Sequence, residues 1–327
     1  MKLEPNVWFD EVVKTYHLIS PHIHHTQLVT CPDLNEELDG RFLFKPESLQ
    51  ITGSFKVRGA LSAISRLSKD ELKRGVIAYS SGNHAQGVAH AAKVFNTPAT
   101  VVMPKDAPER KIANAKTLGA EVIHYDRRTE SREDMSRAIA KEKNLVIINP
   151  YDALETIYGQ GTAAYEVIHD ANNPKLDNAI ICAGGGGLTA GSCISIKHIN
   201  PQCNVFTAEP EEWNDHQLSF EKNERVAMDT NRGGLCDGLL TPTPGEIPFA
   251  INTHFGVKGL SASDQAVCEA MRFAFNRLNL KLEPSGAVAL ACLLQNKEKF
   301  RGSRTLVMLS GGNVDQKTFA ECLAKAN

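Results

Sequence analysis

The 327-residue sequence lacks an excess of charge of either sign, and it lacks a long apolar run. Its 36 lysine and arginine residues stand against 38 acidic residues, which gives a formal net charge of −2 at pH 7. The basic patch typical of nucleic-acid-binding proteins is therefore not expected. The longest apolar stretch, residues 286–294, is about half of the roughly 18 residues that a membrane span needs. The first residues also lack the pattern of a signal peptide, so we expect a cytoplasmic protein without nucleic-acid or membrane partners.

The sequence also lacks any Cys-x-x-Cys pair, although it contains eight cysteines. A structural zinc site usually needs two closely spaced pairs, and a disulfide framework is typical of short secreted chains. Several cysteines, including Cys182 and Cys292, stand inside apolar segments. We therefore expect reduced, mostly buried cysteines that act as small hydrophobic side chains.

Short β-branched runs alternate with helical stretches over most of the chain. The clearest predicted strands are residues 75–79, 99–103, 121–124, 145–148, 179–182, 204–208 and 305–309. The helices between them include residues 84–95, 110–118, 132–143 and 159–170. This alternation predicts an α/β fold in which helices cover parallel sheets. A stretch rich in glycine and proline, residues 233–248, predicts a long functional loop.

Three predicted strands end in turns of small residues that open a helix. These turns are residues 80–84, residues 184–188 with four consecutive glycines, and residues 310–313. In parallel α/β sheets, ligands bind at the carboxyl ends of the strands, where helix N-termini offer N–H groups to anions. Four consecutive glycines reduce stability through backbone entropy, so we interpret this turn as functional.

The glycine turn does not match a nucleotide-binding motif. A dinucleotide-binding motif that used Gly184 and Gly186 would require a third glycine at position 189, where the chain has Thr189. A Walker motif would require lysine at position 192, where the chain has Ser192. Glu209 follows at about the offset of a ribose-binding acid, which leaves an NAD-dependent dehydrogenase as an alternative. The remaining interpretation is a cup for the phosphate of a small ligand.

Lys56 stands in the first turn of a predicted helix that runs to about Leu67, with Ser54 as its predicted N-cap. The predicted apolar stripe of this helix consists of Val57, Ala60, Leu61 and Ile64. The helix dipole disfavours a cation at this end. Together with desolvation, it favours the neutral amine that forms a Schiff base. A surface lysine extending from the helix edge is the alternative.

Pyridoxal phosphate (PLP) would account for both features, because it offers an aldehyde to a lysine and a phosphate to a glycine turn. Ser310, at the end of a predicted strand, is a candidate partner for the pyridine nitrogen.

Six motifs carry a family resemblance. They are Ser54-Phe55-Lys56-Val57-Arg58-Gly59-Ala60, Ser80-Ser81-Gly82-Asn83-His84-Ala85-Gln86-Gly87, Gly159-Gln160-Gly161-Thr162, the tetraglycine turn, Glu283-Pro284-Ser285-Gly286 and Ser310-Gly311-Gly312-Asn313. With them the chain resembles the fold-type-II PLP enzymes of the serine/threonine dehydratase and serine racemase family, over residues 19–313.

The resemblance implies a fold similar to the β subunit of tryptophan synthase, with two open, twisted parallel-sheet domains and flanking helices. A large, discontinuous PLP-binding domain would comprise residues 1–70 and 149–327, and a small mobile domain residues 71–148. The family also implies a homodimer.

The resemblance assigns roles to individual residues. Lys56 would form the Schiff base and move the Cα proton, Phe55 would pack against the cofactor ring, and Asn83 would contact the 3′-oxygen. The other implied cofactor-binding residues are Gly184, Gly185, Gly186, Gly187, Leu188, Glu283 and Ser310. The implied substrate-binding residues are Ser80, Ser81, Asn83, His84, Arg132 and Tyr151.

A divalent cation is implied by the segment after the sixth predicted strand. Its ligands would be the carboxylates of Glu209 and Asp215 and the carbonyl of Trp213, a set that suits Mg²⁺ or Ca²⁺. An exposed acidic loop is the alternative.

The implied activity is β-elimination of a small β-hydroxy amino acid, such as threonine, serine or threo-3-hydroxyaspartate, to a keto acid and ammonia. Ser81 stands where threonine dehydratases usually carry alanine and racemases carry serine. An amino-acid racemase that uses Lys56 and Ser81 on opposite faces, alone or together with elimination, is therefore the nearest alternative. A catalytically idle protein of the same fold is disfavoured by the intact Lys56.

Overall fold

The strands of the computed structural model form two sheets that are covered by helices. The structure describes residues 5–80, 82–105, 107, 109–126, 128–170, 175–229 and 233–326. For residues 5, 6 and 109–111 it describes the backbone alone. The strands are β1 Val29–Thr30, β2 Arg41–Pro46, β3 Val76–Tyr79, β4 Ala99–Pro104, β5 Glu121–Tyr125, β6 Val146–Ile147, β7 Asn178–Cys182, β8 Asn204–Pro210, β9 Lys258–Ala262 and β10 Arg304–Leu309. The α-helices are α1 Pro5–Ile19, α2 Pro32–Glu37, α3 Lys56–Ser65, α4 Lys69–Arg74, α5 Asn83–Val94, α6 Glu109–Thr117, α7 Arg132–Lys143, α8 Leu154–Asp170, α9 Gly187–Ile199, α10 Asp215–Lys222, α11 Glu246–His254, α12 Asp264–Leu278, α13 Pro284–Gln295, α14 Lys297–Phe300 and α15 Gln316–Lys325. One-turn 3₁₀ helices lie at Ser20–His22, Glu47–Leu49, Glu211–Trp213 and Asp237–Leu239.

The larger sheet draws its strands from both ends of the chain, in the order β1-β2-β10-β7-β8-β9. Only its edge pair, β1 with β2, is antiparallel among the described strands. The smaller sheet has the order β5-β4-β3-β6 and is parallel throughout the described residues. The predicted α/β fold with two parallel sheets is confirmed.

The buried strands explain why hydrophobic patterning located most of the sheet. All seven predicted strands are present, each within two residues of the expected ends. Strands such as β7 and β4 are buried along their whole length, as expected for parallel strands covered on both faces. The patterning missed three strands: β1, which has only two residues; β2, in which the charged residues Arg41 and Lys45 flank three apolar ones; and β9, which is rich in small residues.

The start of α3 differs from the prediction. The predicted N-cap Ser54 is wrong, because Phe55 occupies that position and makes no side-chain cap. Ser54 instead pairs with Gly311 in an isolated bridge, and the backbone N–H of Phe55 donates to the carbonyl of Ser310 at 3.1 Å. The helix therefore starts against the end of β10, and its predicted apolar stripe is fully buried in a core shared with the smaller sheet.

The cysteines have the expected state, since all eight are free and buried. Within the described ranges, no helix has both the length and the apolar character needed to cross a bilayer.

Four charged side chains form a cluster in the interior, with at most 1% of each exposed: Lys45, Glu47, Arg58 and Glu166. The Arg58 guanidinium donates to Glu47 at 2.7 and 2.8 Å and to Glu166 at 2.7 and 2.9 Å. Lys45 Nζ donates to Glu166 at 2.5 Å. Burial acts to lower the pKa of Arg58, but the two carboxylates raise it above its usual value. The cluster thus joins β2, the turn that follows it, α3 and α8.

Removing the central cation of this cluster is expected to destabilise the protein strongly. Arg58→Met leaves two buried carboxylates with one lysine, and breaking a buried ion pair typically costs about 3–5 kcal/mol. Urea denaturation should show a large fall in the midpoint. The matched control is Arg137→Met, which breaks an exposed pair with Asp134 and should leave the midpoint almost unchanged. Equal shifts for the two variants would contradict this account.

Candidate active site

A cleft with about 1100 Å³ of empty space, part of it open to solvent, lies beyond the carboxyl ends of strands from both sheets. Residues from the smaller sheet and its helices form one wall: Tyr79, Ser80, Gly82, Asn83, His84 and Arg132. Residues from the larger sheet, its turns and its helices form the opposite wall: Cys182, Gly184, Gly185, Gly186, Gly187, Leu188, Glu283, Ser285 and Ser310. Phe55, Lys56, Pro150, Tyr151 and residues 237–241 complete the lining.

Lys56 is the first residue of α3 and points into this cleft. Its Nζ donates to the carbonyl of Pro150 at 2.9 Å and lies 5.2 Å from the centre of the Phe55 ring. Burial lowers the pKa of Lys56 to about 8, with a smaller opposing effect from Cys182. Near pH 7 the neutral form is therefore a minority, but it is far more populated than in a lysine with the usual pKa, and the neutral form is the nucleophile.

The tetraglycine turn connects β7 to α9, and its shape leaves no room for side chains. Gly186 is the N-cap of α9 with φ +87°, a conformation that favours glycine. A Cβ on Gly185 would lie 2.2 Å from the Tyr151 ring, and one on Gly187 would lie 3.0 Å from the Tyr151 carbonyl. The first N–H groups of a helix have no partner within the helix, so this turn fits a phosphate cup.

Two carbonyls of the turn accept hydrogen bonds from residues outside it. The carbonyl of Gly184 accepts from His216 Nε2 at 2.9 Å, and that of Gly185 accepts from the backbone N–H of Gly245 at 3.1 Å. Tyr151 packs against the turn, and burial raises the pKa of its hydroxyl to about 12. Tyr151 is therefore neutral at physiological pH.

Asn83 links the two walls of the cleft. Its Nδ2 donates to Glu283 Oε1 at 2.6 Å, and its Oδ1 accepts from Asn313 Nδ2 at 2.7 Å. Asn83 begins α5 beside the smaller sheet, whereas Glu283 precedes α13 and Asn313 follows β10. The amide retains one N–H that these two bonds do not use.

Ser310 follows β10 and is 4% exposed, and its hydroxyl lies near the Cys182 thiol. Burial raises the pKa of that thiol to about 11. A neutral hydroxyl and a neutral thiol are thus close together at the ends of two adjacent strands. The Ser310 hydroxyl could act there as a neutral partner for the nitrogen of a bound pyridine ring.

The predicted substrate loop is described except for Ser81, which lies outside the described residues. The Ser80 hydroxyl accepts from the backbone N–H of Gly82 at 3.1 Å. His84 Nε2 donates to the carbonyl of Ile148 at 2.9 Å, and burial, followed by the charge of Lys56, lowers the pKa of His84 to about 3. The imidazole is therefore neutral, so His84 offers no cation to an anionic ligand, and the groups that this loop could offer are backbone N–H groups.

Arg132 opens α7 and supplies a cation to the cleft. Its Nε donates to Glu133 at 2.7 Å, and its guanidinium carbon lies 5.9 Å from the centre of the Tyr79 ring. About 41% of the side chain is exposed, so it is accessible to a ligand.

The predicted cation ligands lie outside the lining of the cleft. Glu209 and Asp215 are both fully buried, so the alternative of an exposed acidic loop is wrong for them. Glu209 accepts from the backbone N–H groups of His216 and Gln217 at 2.8 and 2.9 Å, whereas neither Asp215 oxygen has a hydrogen-bond partner among the described residues. Burial raises the pKa of both carboxyls, and Asp215 raises that of Glu209 further.

An unpartnered buried carboxylate beside a second one is an arrangement that a cation would stabilise. Trp213, whose carbonyl is the third predicted ligand, lies between these two residues in the sequence, and its side chain is buried. No group of three or more His, Cys, Asp or Glu side chains that could hold a metal was found in the described part of the chain. Carbonyl and water oxygens would therefore have to complete the coordination.

The sequence interpretation missed several cleft residues. Cys182 directly precedes the glycine turn, and that position in the chain could have identified it. Residues 237–241 belong to the predicted loop, but that loop is shorter than expected because α11 already begins at Glu246. The Ser285 hydroxyl holds this loop by accepting from the backbone N–H of Gly238 at 2.9 Å. No local signal predicts this last contact.

Comparison with known proteins agrees with this geometry. Residues 19–311 match the family model described as pyridoxal-phosphate dependent enzyme. An L-threo-3-hydroxyaspartate ammonia-lyase of Saccharomyces cerevisiae is 39% identical over 97% of this chain and 96% of its own length. A serine racemase of Schizosaccharomyces pombe is 38% identical over 97% of each chain.

A solved structure shares the fold. The crystal structure of serine racemase from Dictyostelium discoideum has a TM-score of 0.87 and 35% identity, over 94% of this chain and 98% of that one. The dehydrogenase alternative left open by the glycine turn is wrong. With a family match over most of its length and relatives this similar along nearly the whole chain, the protein belongs to the pyridoxal-phosphate-dependent enzymes.

Proposed function

We propose that the protein catalyses PLP-dependent β-elimination of a small β-hydroxy amino acid, with threo-3-hydroxyaspartate, serine and threonine as candidate substrates. The observation that carries this proposal is the partly neutral Lys56 amine in a cleft that also contains the tetraglycine turn. Loss of the Cα proton and of the β-hydroxyl would release water. The resulting unsaturated amine would hydrolyse to a keto acid and ammonia.

Bound PLP would supply an aldehyde and a conjugated ring that accept the electron pair from Cα. The N–H groups at the start of α9, from Gly184 to Leu188, would hold its phosphate. Phe55 would pack on the ring, while Asn83 and Glu283 would face the 3′-oxygen. Ser310 would meet the pyridine nitrogen as a neutral partner and leave it unprotonated, which suits elimination better than transamination.

Lys56 would act as both anchor and base. After substrate has displaced it, its Nζ would take the Cα proton, and Pro150 offers a carbonyl that orients the amine. The substrate carboxylate would bind the backbone N–H groups at the start of α5, near Ser80 and His84. Tyr151 would close the space above the glycine turn.

The Lys56→Ala variant is expected to lose both the visible absorbance of a lysine-linked cofactor and keto-acid formation. The rate should fall by about 10²–10⁴-fold or more, the range for a lost general base. Absorbance spectra and an ammonia assay measure the two effects. Lys69→Ala, at an exposed position of α4, is the control. A Lys56→Ala enzyme with native spectrum and rate would refute the assignment.

Arg132 favours threo-3-hydroxyaspartate among the candidate substrates. It is an accessible cation in the cleft lining, and the second carboxylate of this substrate offers it a bidentate partner. Similarity to an L-threo-3-hydroxyaspartate ammonia-lyase supports the same substrate. Serine and threonine have no second carboxylate, so Arg132 would not distinguish between them.

The Arg132→Met variant is expected to lose about 10- to 100-fold in kcat/KM for threo-3-hydroxyaspartate, since a hydrogen bond to a charged group contributes about 1.5–3 kcal/mol. For serine the change should be less than about threefold. Arg137→Met, on the same helix but paired with Asp134 outside the cleft lining, is the control. Equal losses for both substrates would contradict a role in side-chain recognition.

Racemisation is the second candidate activity, because a serine racemase is among the relatives of the chain. Ser81 would provide the proton on the face opposite Lys56. Chiral analysis of serine in the same assay distinguishes the two activities, since elimination consumes serine whereas racemisation interconverts its enantiomers.

The arrangement of the domains belongs to the same proposal. Residues 71–148, which contain the whole smaller sheet, would form the mobile domain, and residues 1–70 and 149–327 the PLP-binding domain. The links from Asn83 to Glu283 and Asn313 would hold the closed cleft. A homodimer and a cytoplasmic location stay predictions, which size-exclusion chromatography and cell fractionation test.

A divalent cation, Mg²⁺ or Ca²⁺, would bind Glu209, Asp215 and the Trp213 carbonyl. Support comes from the Asp215 carboxylate, which is fully buried and has no hydrogen-bond donor among the described residues. Two carboxylates with carbonyl and water oxygens suit a hard cation.

If a cation binds at this site, the native protein should be less stable than the Asp215→Asn variant in chelator and should gain more stability than the variant when cation is added. Burial raises the pKa of the Asp215 carboxyl, so folding without cation must either bury its charge or protonate it. The neutral amide of the variant avoids this cost, so the Tm in chelator should rise above that of the native protein. At a cation concentration of about 100 Kd the native protein should gain about 2.7 kcal/mol, and the variant should gain little. Glu211→Gln, at an exposed position between the two acids, is the control for the cation-dependent shift. A native Tm that no divalent cation changes would refute the site.

A further inference from the structure

We propose that His216 is a positioning residue that couples the acidic pair, Glu209 and Asp215, to the tetraglycine turn. Binding of a divalent cation at the pair would then tighten PLP binding at the turn. This inference rests on the proposed cation and PLP sites. It assigns a specific residue to the connection between them.

The first link runs from the acidic pair to the start of α10. Both oxygens of Glu209 accept backbone hydrogen bonds, from His216 at 2.8 Å and from Gln217 at 2.9 Å. Asp215 is the first residue of the same helix and directly precedes His216. The Glu209 carboxylate is therefore tied directly to the backbone that carries the His216 ring, and Asp215 belongs to the same segment of backbone.

The second link runs from the His216 ring to the glycine turn. Its Nε2 lies 2.9 Å from the carbonyl oxygen of Gly184, and a carbonyl only accepts, so Nε2 carries the proton. The ring also touches the turn directly, because a Cβ on Gly186 would lie 2.4 Å from His216 Cε1. His216 is fully buried, so the ring cannot shift without displacing the turn.

The Gly184 carbonyl is the one hydrogen-bond partner that the described residues offer the imidazole. His216 Nδ1 is buried and has no partner among them. The ring is thus held by a single hydrogen bond at the turn and by packing, including Phe220 at 5.8 Å between ring centres. Loss of this one donor should therefore disconnect the two sites without disturbing a wider polar network.

Coupling between two binding sites is reciprocal, and its usual size is about 5- to 150-fold in affinity. A cation would attract both carboxylates and fix Asp215, whose oxygens otherwise lack donors among the described residues. This would hold the start of α10 and keep the His216 ring against Gly184. We expect the native protein to release PLP at least about fivefold more slowly with cation than with chelator, at the low end of that range.

The test follows PLP release from the full-length holoenzyme by its visible absorbance, with Mg²⁺, with Ca²⁺ or with chelator. In His216→Phe, which keeps a ring but has no donor, the cation effect should fall below about twofold. His216→Gln, whose amide can donate to Gly184, should restore much of it. Lys222→Ala, at the exposed end of α10, should behave as the native protein. A purely structural role would change release equally with and without cation.

Calorimetric titration of the cation separates the possible failures. If the native protein binds no cation, the proposed cation site is wrong and the coupling falls with it. If it binds cation, but cation slows PLP release equally in the native protein and in His216→Phe, only the coupling is overturned. If His216→Phe retains no PLP, its cation affinity should equal that of the PLP-free native chain, and a different affinity would overturn the coupling.

Discussion

The position of Lys56 depends on the buried ion cluster around Arg58, two residues further along α3. Because Arg58 binds Glu47 and Glu166 simultaneously, the helix that presents the lysine is fixed to the turn after β2 and to α8. A guanidinium buried in this way is stable only with both carboxylates in place. The start of α3 can therefore hold the lysine amine in the cleft while the neighbouring backbone pairs with the end of β10.

Several side chains that line the cleft with the reactive amine are shifted toward their neutral forms. Desolvation lowers the pKa of Lys56 and His84 and raises that of Tyr151 and Cys182, so each is shifted toward its uncharged form. Arg132 supplies positive charge at the edge, the backbone N–H groups at the starts of α5 and α9 supply partial positive charge, and the acidic residues Asp237 and Glu283 also line the cleft. This distribution suits a ligand that brings its own anionic groups and a base that must be uncharged.

Much of the fold and the cleft could be predicted from the sequence, because buried parallel strands are apolar and their small-residue turns mark the ligand edge. Residues distant in the chain, such as Asn83 and Ser310, were predicted through motifs. Contacts set by tertiary structure could not be predicted. Ser54 resembles an N-cap because its pairing with Gly311 has no local signal, and β2 was not predicted because the buried partners of its charged Lys45 lie elsewhere in the chain. His216 was missed because its partner, Gly184, lies 32 residues away in the chain.

The central claim is that Lys56 is the lysine to which PLP attaches. Borohydride reduction of the holoenzyme, followed by proteolysis and mass spectrometry of the peptides, tests this claim most directly. The account predicts a pyridoxyl group on the peptide that contains Lys56, and none on the same peptide when the cofactor has been removed beforehand. A pyridoxyl group on another lysine, or an unmodified Lys56 in a protein that retains bound PLP, would contradict it.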